Sequence, residues 1–135
     1  MTPKVPVRAP EPLRAWRVVA APEALDALDA VAPSGSALRL APDDLLVLAG
    51  GQAPVVDDPD AIVVPEAGFV GWELDDAATM SVLRHHVEWA PPPDRPALAQ
   101  GLIAGVPAKL HLREDGSALL LCAKAYAAEL QERIA

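Results

Sequence analysis

Beyond a proline-dense opening, apolar and polar positions alternate in short runs that switch repeatedly between a period near two and a period near 3.6. In LRAWRVVA (13–20) the β-branched and aromatic residues predict a strand, and APEALDALDAVA (21–32) follows with Pro22 in a first-turn position and Leu25, Leu28 and Val31 about one helical turn apart. PSGS punctuates the chain, ALRLA (37–41) alternates, PDD turns, and LLVLA (45–49) runs apolar into the stop at Gly50 and Gly51. The first half therefore predicts β-α-β-β.

The second half repeats that order. After the acidic connector QAPVVDDPD, AIVVPEAGFVGWEL (61–74) predicts extended backbone up to Leu74, and DDAATMSVLRHHVEW (75–89) predicts a helix with an Asp cap and Met80, Leu83 and Val87 on its apolar face. Past the extended APPPDRP, the segments ALAQGLIAG, VPAKLHLR and ALLLCA predict strands, the last two joined through EDGS as a hairpin. KAYAAELQERIA closes the chain as a helix with Tyr126, Ala127, Leu130 and Ile134 on one side. AWRVVAAPEALDAL parallels GWELDDAATMSVLR, and ALRLAPDDLLVLA parallels KLHLREDGSALLLCA, so Trp16 and Trp72 take equivalent places. The expectation is an α+β fold of duplicated βαββ units, pseudo-repeats at about 13–51 and 61–135, with helices on one face of a mostly antiparallel sheet in a single domain over 13–135.

Composition narrows the picture. A chain of 135 residues fits one domain, and with 52% hydrophobic but only 4% aromatic residues its core must be built from Ala, Val and Leu. Pro3, Pro6, Pro10 and Pro12 make residues 1–12 an extended arm. The net charge of −8, with 11 Lys and Arg against 19 Asp and Glu and the basic residues scattered singly, argues against nucleic acid as a partner. The opening has no apolar h-region and no run of about 18 apolar residues occurs, so neither a secretory signal nor a membrane partner is expected, and the reading is of a cytoplasmic protein. One cysteine, Cys122, excludes an intramolecular disulfide and sits in an apolar run as a buried, inert thiol.

The stretch RHHVEW (84–89) carries most of the chemically versatile side chains. On a helix His85 and His86 point about 100° apart and cannot share one metal ion, whereas His85 and Glu88 lie on one face. The spacing matches neither the zincin pattern nor a di-iron bundle. The simpler reading places both histidines on the helix edge near its C-terminus, with Leu83 and Val87 inward. The alternative is a polar site built from His85, Glu88 and a distant His111. No nucleophile elbow surrounds a serine, GLIAGVPAK departs from the phosphate-loop spacing, and AGGQAP does the same, so both glycine-bearing stretches read as chain reversals or bulges. Asp57, Asp58 and Asp60 read as solvated loop charges, and the Asp75–Asp76 pair as helix capping. Phe69, Trp72 and Trp89 flank the second helix and admit two readings, core packing or a partner-binding surface.

The segments GFVGWELDDAATMSVLRHH and AGVPAKLHLREDGSALLLCAKAYAAELQERI resemble the gamma subunit of heterotetrameric sarcosine oxidase and, more distantly, the folate-binding aminomethyltransferase domain. The resemblance spans about residues 61–134 and rests on a glycine-bearing strand, an alanine-rich helix, the VPAKLHL strand, a turn, an apolar strand and a final Ala/Tyr helix. It implies a small chain without catalytic activity or cofactor of its own, packed against a flavin- or folate-dependent subunit. No functional residue carries over, and no cofactor or metal is expected. The leading expectation is a noncatalytic subunit or adaptor with a protein partner or a homo-oligomeric state. The alternative is a small-ligand-binding module or small enzyme that uses a cleft between the two repeats.

Overall fold

The computed structural model describes residues 8–33, 35–48 and 51–135. The elements in chain order are β1 (Glu11–Pro12), β2 (Ala15–Val19), α1 (Pro22–Val31), β3 (Ala37–Ala41), β4 (Asp44–Leu48), β5 (Ile62–Glu66), β6 (Phe69–Leu74), α2 (Asp76–His85), β7 (Ala97–Ile103), β8 (Val106–Leu112), β9 (Ala118–Ala123), a 3-10 turn (Lys124–Tyr126) and α3 (Ala127–Ile134). The fold is α+β, and every strand pairing among the described residues is antiparallel. The strands are shared between two sheets, ordered β3-β4-β2-β5 and β1-β6-β9-β8-β7. By contacts the chain divides into two compact units, Leu13–Ala67 and Gly68–Ala135, the second joined by the residues up to Pro12.

In the unit over Leu13–Ala67, β2 lies between β4 and β5, with Val18 opposite both Leu45 and Val63. Helix α1 begins at Pro22, where the missing N–H costs nothing because the first turn has no acceptor for it. Ala21, at the N-cap, supplies no side-chain acceptor of its own. Instead Asp58 reaches across from the β4–β5 connector and accepts from Ala21 N at 2.8 Å while also accepting from Asp60 N at 2.9 Å. Leu25 is fully buried against Val18, Ala20 and Leu45, and Leu28, Val47 and Val63 close the cluster. A leucine so placed contributes about 1.5–3 kcal/mol. On the opposite face of β2, Arg17 is held between neighbouring strands by Asp44, at 2.5 and 2.6 Å, and by Glu66 at 3.1 Å.

The unit over Gly68–Ala135 packs α2 and α3 on one face of the five-stranded sheet. Trp72, Leu120, Leu110, Ile103, Val82, Leu130 and Ile134 belong to one buried cluster. Asp75 caps α2 by accepting from Ala78 N at 2.7 Å, worth about 1 kcal/mol, as expected from the sequence. The buried face of α2 is Ala78, Thr79 and Val82, whereas Met80 is exposed. Thr79 can be buried because its hydroxyl donates to Asp75 O at 2.7 Å. The strand order β3-β4-β2 in one unit matches β8-β9-β6 in the other.

Three local expectations are redrawn. The stretch 61–74 is two strands rather than one: β5 pairs with β2, and β6 pairs with β1 and β9 in the other sheet. The second helix ends at His85, with His86 as its C-cap, so Val87, Glu88 and Trp89 lie beyond it. Tyr126 falls in the 3-10 turn and is exposed, leaving Leu130 and Ile134 as the buried residues of α3. The arm expected over 1–12 is described from residue 8, and its last two residues form β1 against Val70 and Gly71. Residues 1–7 and Gly50 of the glycine stop lie outside the described residues.

Candidate functional site

The chemically versatile residues of RHHVEW do not converge. His85 is exposed at the end of α2 and Glu88 is exposed beyond it, so the helical spacing that would have put them on one face does not apply. His86 is buried at the C-cap, where its backbone N–H donates to Val82 O and its carbonyl accepts from Ala104 N at 2.7 Å. His111 is buried on β8, opposite Leu98 and Leu119. Burial, with the nearby positive charge of Arg113, pushes its imidazole below the usual range, against a smaller opposing pull from Glu73. Its Nδ1 has no hydrogen-bond partner. Among the described residues no group of three or more His, Cys, Asp or Glu side chains is placed to hold a metal ion, so His85, Glu88 and His111 are not gathered as one.

Of the carboxylates singled out in the sequence, Asp58, Asp75 and Asp76 accept from backbone N–H groups. Asp58, bonded to two backbone N–H groups, is held below the ordinary carboxylate range by them, and Asp75 is the α2 cap. Cys122 is buried in the core cluster, and burial pushes its thiol up to about 11. At neutral pH it is a protonated, weakly nucleophilic group.

The three aromatics around α2 separate into different roles. Trp72 is 2% exposed, so it presents no surface to a partner, and its indole N–H donates to Gln131 Oε1 of α3 at 2.5 Å. Trp89 folds back on the edge strand β7, where Nε1 donates to Leu102 O at 3.0 Å. Phe69 alone opens onto a concave surface.

That surface is a groove of about 320 Å³ on the face of the five-stranded sheet opposite the core cluster, lined chiefly by Phe69, Gln100, Leu102, Pro107, Lys109 and Tyr126. Strand register assembles it: Gln100 pairs with Lys109, Leu102 with Pro107, and Phe69 with Ala123 beside the 3-10 turn that carries Tyr126. Alternation along each strand turns Val70, Ala108 and Ile103 toward the core and their neighbours toward the groove. Lys109 Nζ donates to Gln100 Oε1 at 2.8 Å and stands 6.0 Å from the centroid of the Phe69 ring, at the outer range of a cation–π contact. The groove is thus apolar with one fixed ammonium. Of its residues only Phe69 stood out in the sequence, because the others come together through strand pairing across intervals that no local motif records.

Compared with protein-family models, curated proteins and solved structures, the chain matches none. The likeness to the sarcosine oxidase gamma subunit therefore stands on the quoted residues alone. No helix among the described residues is long and apolar enough to cross a membrane.

Proposed function

We propose that the protein is a noncatalytic small subunit that packs against a larger protein, with β5 as its contact strand. The observation that supports this reading is the pair Ile62 and Val64, which project from the same face of an edge strand and are 57% and 45% exposed. Two neighbouring β-branched side chains left in water at a sheet edge are apolar area available for burial by a partner. Pro65 interrupts the row of backbone donors that an added strand would use, so the contact is made through side chains rather than by extending the sheet. The resemblance in the second half suggests a flavin- or folate-dependent enzyme as the partner.

Light scattering during size-exclusion chromatography of the untagged protein from its native cells, with mass spectrometry of the co-eluting material, tests this. A stable complex with one larger flavin- or folate-dependent protein is expected, and an Ile62→Asp/Val64→Asp variant with native circular dichroism should elute alone. A wild-type chain that elutes as a lone monomer overturns the reading. A second reading, a small-ligand-binding module, is favoured by the placement of Lys109 within an apolar groove.

A further inference from the structure

We propose that Asp115 is a latent site of spontaneous aspartate isomerisation, held in check by Ser117. This does not rest on the partner reading, which uses β5. The chain has no asparagine, and Asp115–Gly116 is its one Asp-Gly pair. Attack of a backbone nitrogen on the preceding side-chain carboxyl is easiest before glycine, where no side chain shields the nitrogen and the backbone turns freely. Gly116 N attacks Asp115 Cγ, a C–N bond forms, and the carboxyl hydroxyl leaves with the N–H proton as water. Water then opens the succinimide ring at either carbonyl, and opening at the main-chain carbonyl leaves isoaspartate, with the chain running through Cγ and one atom longer. Water is the only co-reactant, and Asp115 is exposed to it.

The fold cannot dispense with the glycine. The turn between β8 and β9 puts Gly116 at φ 90°, and a β-carbon there would stand 3.2 Å from Cβ of Asp76 in the first turn of α2. The reactive pair is therefore built into the hairpin that joins two inner strands of the five-stranded sheet. An extra backbone atom at that point would disturb both the turn and its packing on α2. Protection has to come from the neighbours of Asp115 and not from a change of residue 116.

Ser117 supplies it. Asp115 Oδ1 accepts from Ser117 Oγ at 2.6 Å and from Ser117 N at 2.9 Å, which turns the carboxylate forward and stabilises its ionised form, a poor electrophile. The hydroxyl first and the backbone N–H second hold Asp115 below the ordinary carboxylate range. Ser117 Oγ is itself positioned, because it accepts from Arg113 Nη1 at 3.4 Å while the Arg113 guanidinium binds both oxygens of Glu73, at 2.6 and 3.0 Å. The nucleophile is held as well. Gly116 N donates to Arg113 O at 3.2 Å, and rotating Asp115 to bring that nitrogen on to Cγ would break the bond.

The test ages the full chain for weeks at neutral pH and physiological temperature, and measures isoaspartate at each aspartate by peptide mapping with electron-based fragmentation, since the mass does not change. Asp115 should isomerise slowly in the native protein and faster in the guanidinium-unfolded chain. Ser117→Ala should raise the native rate about tenfold or more, as expected for loss of a charge-assisted hydrogen bond, and Ser117→Thr, which keeps the hydroxyl, should stay near the wild-type rate. Ile134→Val lowers overall stability from a buried position in α3 with the turn intact, and should leave the rate unchanged. Circular dichroism establishes that each variant is folded during ageing. Equal rates in wild type and Ser117→Ala overturn the proposal, as do a wild-type rate matching the unfolded chain, an equal acceleration by Ile134→Val, or isoaspartate arising chiefly at another aspartate.

Discussion

Trp89 lies against Gly101 so closely that a β-carbon on that glycine would stand 2.7 Å from the indole nitrogen. The same nitrogen donates to Leu102 O at 3.0 Å, so the tryptophan covers part of the exposed edge of β7. Gly101 leaves the room that contact needs. Gly101→Ala should push the indole off the strand and destabilise the fold by about 1–3 kcal/mol, through overpacking or a lost hydrogen bond. In a Trp89→Ala background the same change should cost much less. A double-mutant cycle by urea denaturation measures the difference, and equal costs in the two backgrounds would show that Trp89 is not what the glycine accommodates.

The turn between β7 and β8 has positive φ at both central residues, 50° at Ala104 and 79° at Gly105. This suits a two-residue hairpin, yet an alanine side chain is disfavoured in that region by about 1 kcal/mol. Ala104→Asn should therefore raise the unfolding free energy by about 0.5–1 kcal/mol, since asparagine tolerates the left-handed conformation. The backbone bonds from Ala104 N to His86 O and from Arg133 Nη1 to Ala104 O are unaffected by the side chain. An unchanged or lower urea midpoint at constant m would refute the strain.

His111 makes stability fall in mild acid. Burial, reinforced by Arg113, lowers its folded-state pKa below the ordinary value, so the unfolded chain takes up a proton first as the pH drops. Its contribution is unpenalised above about pH 6.5 and is eroded as the pH falls below that. Wild-type unfolding free energy should be lower at pH 5.5 than at 7.5, and His111→Leu should flatten that interval. A His111→Leu slope as steep as the wild type's would assign the pH dependence to other groups.

Cys122 should resist modification. With its thiol pushed up to about 11 and its side chain inside the core cluster, reaction with an aromatic disulfide at pH 8 should be slow in the native protein and fast in denaturant. Rapid stoichiometric labelling of the folded chain would contradict the burial.

Much of the architecture is legible in local chemistry. Pro22, the Asp75 cap and the alternation in VPAKLHL each mark an element that forms. What is not legible depends on partners distant in sequence. AIVVPEAGFVGWEL is extended throughout its apolar parts, and only the different strands opposite Val63 and Val70 divide it between two sheets. Met80 is the more apolar residue, yet Thr79 is the one buried, because Asp75 O satisfies its hydroxyl. RHHVEW draws attention by composition, whereas the groove has the unremarkable members Gln100, Leu102, Pro107 and Lys109. Their proximity follows from register, which repeats along β7 and β8 without leaving a motif.

The two sheets close at different moments of synthesis. The four-stranded sheet has its last strand once Glu66 has been made, and β2 has β4 as a neighbour before β5 is made. In the other sheet β6 lies between β1 and β9, so residues Phe69–Leu74 wait for Ala118–Ala123 before their inner edge is paired. During translation, at about 5–20 residues per second, that leaves a few seconds in which Val70, Trp72 and Leu74 have no sheet neighbour on that side. The interval between β6 and β9 is therefore the vulnerable part of the nascent chain, and slowing the ribosome within it should increase aggregation more than slowing it before residue 66.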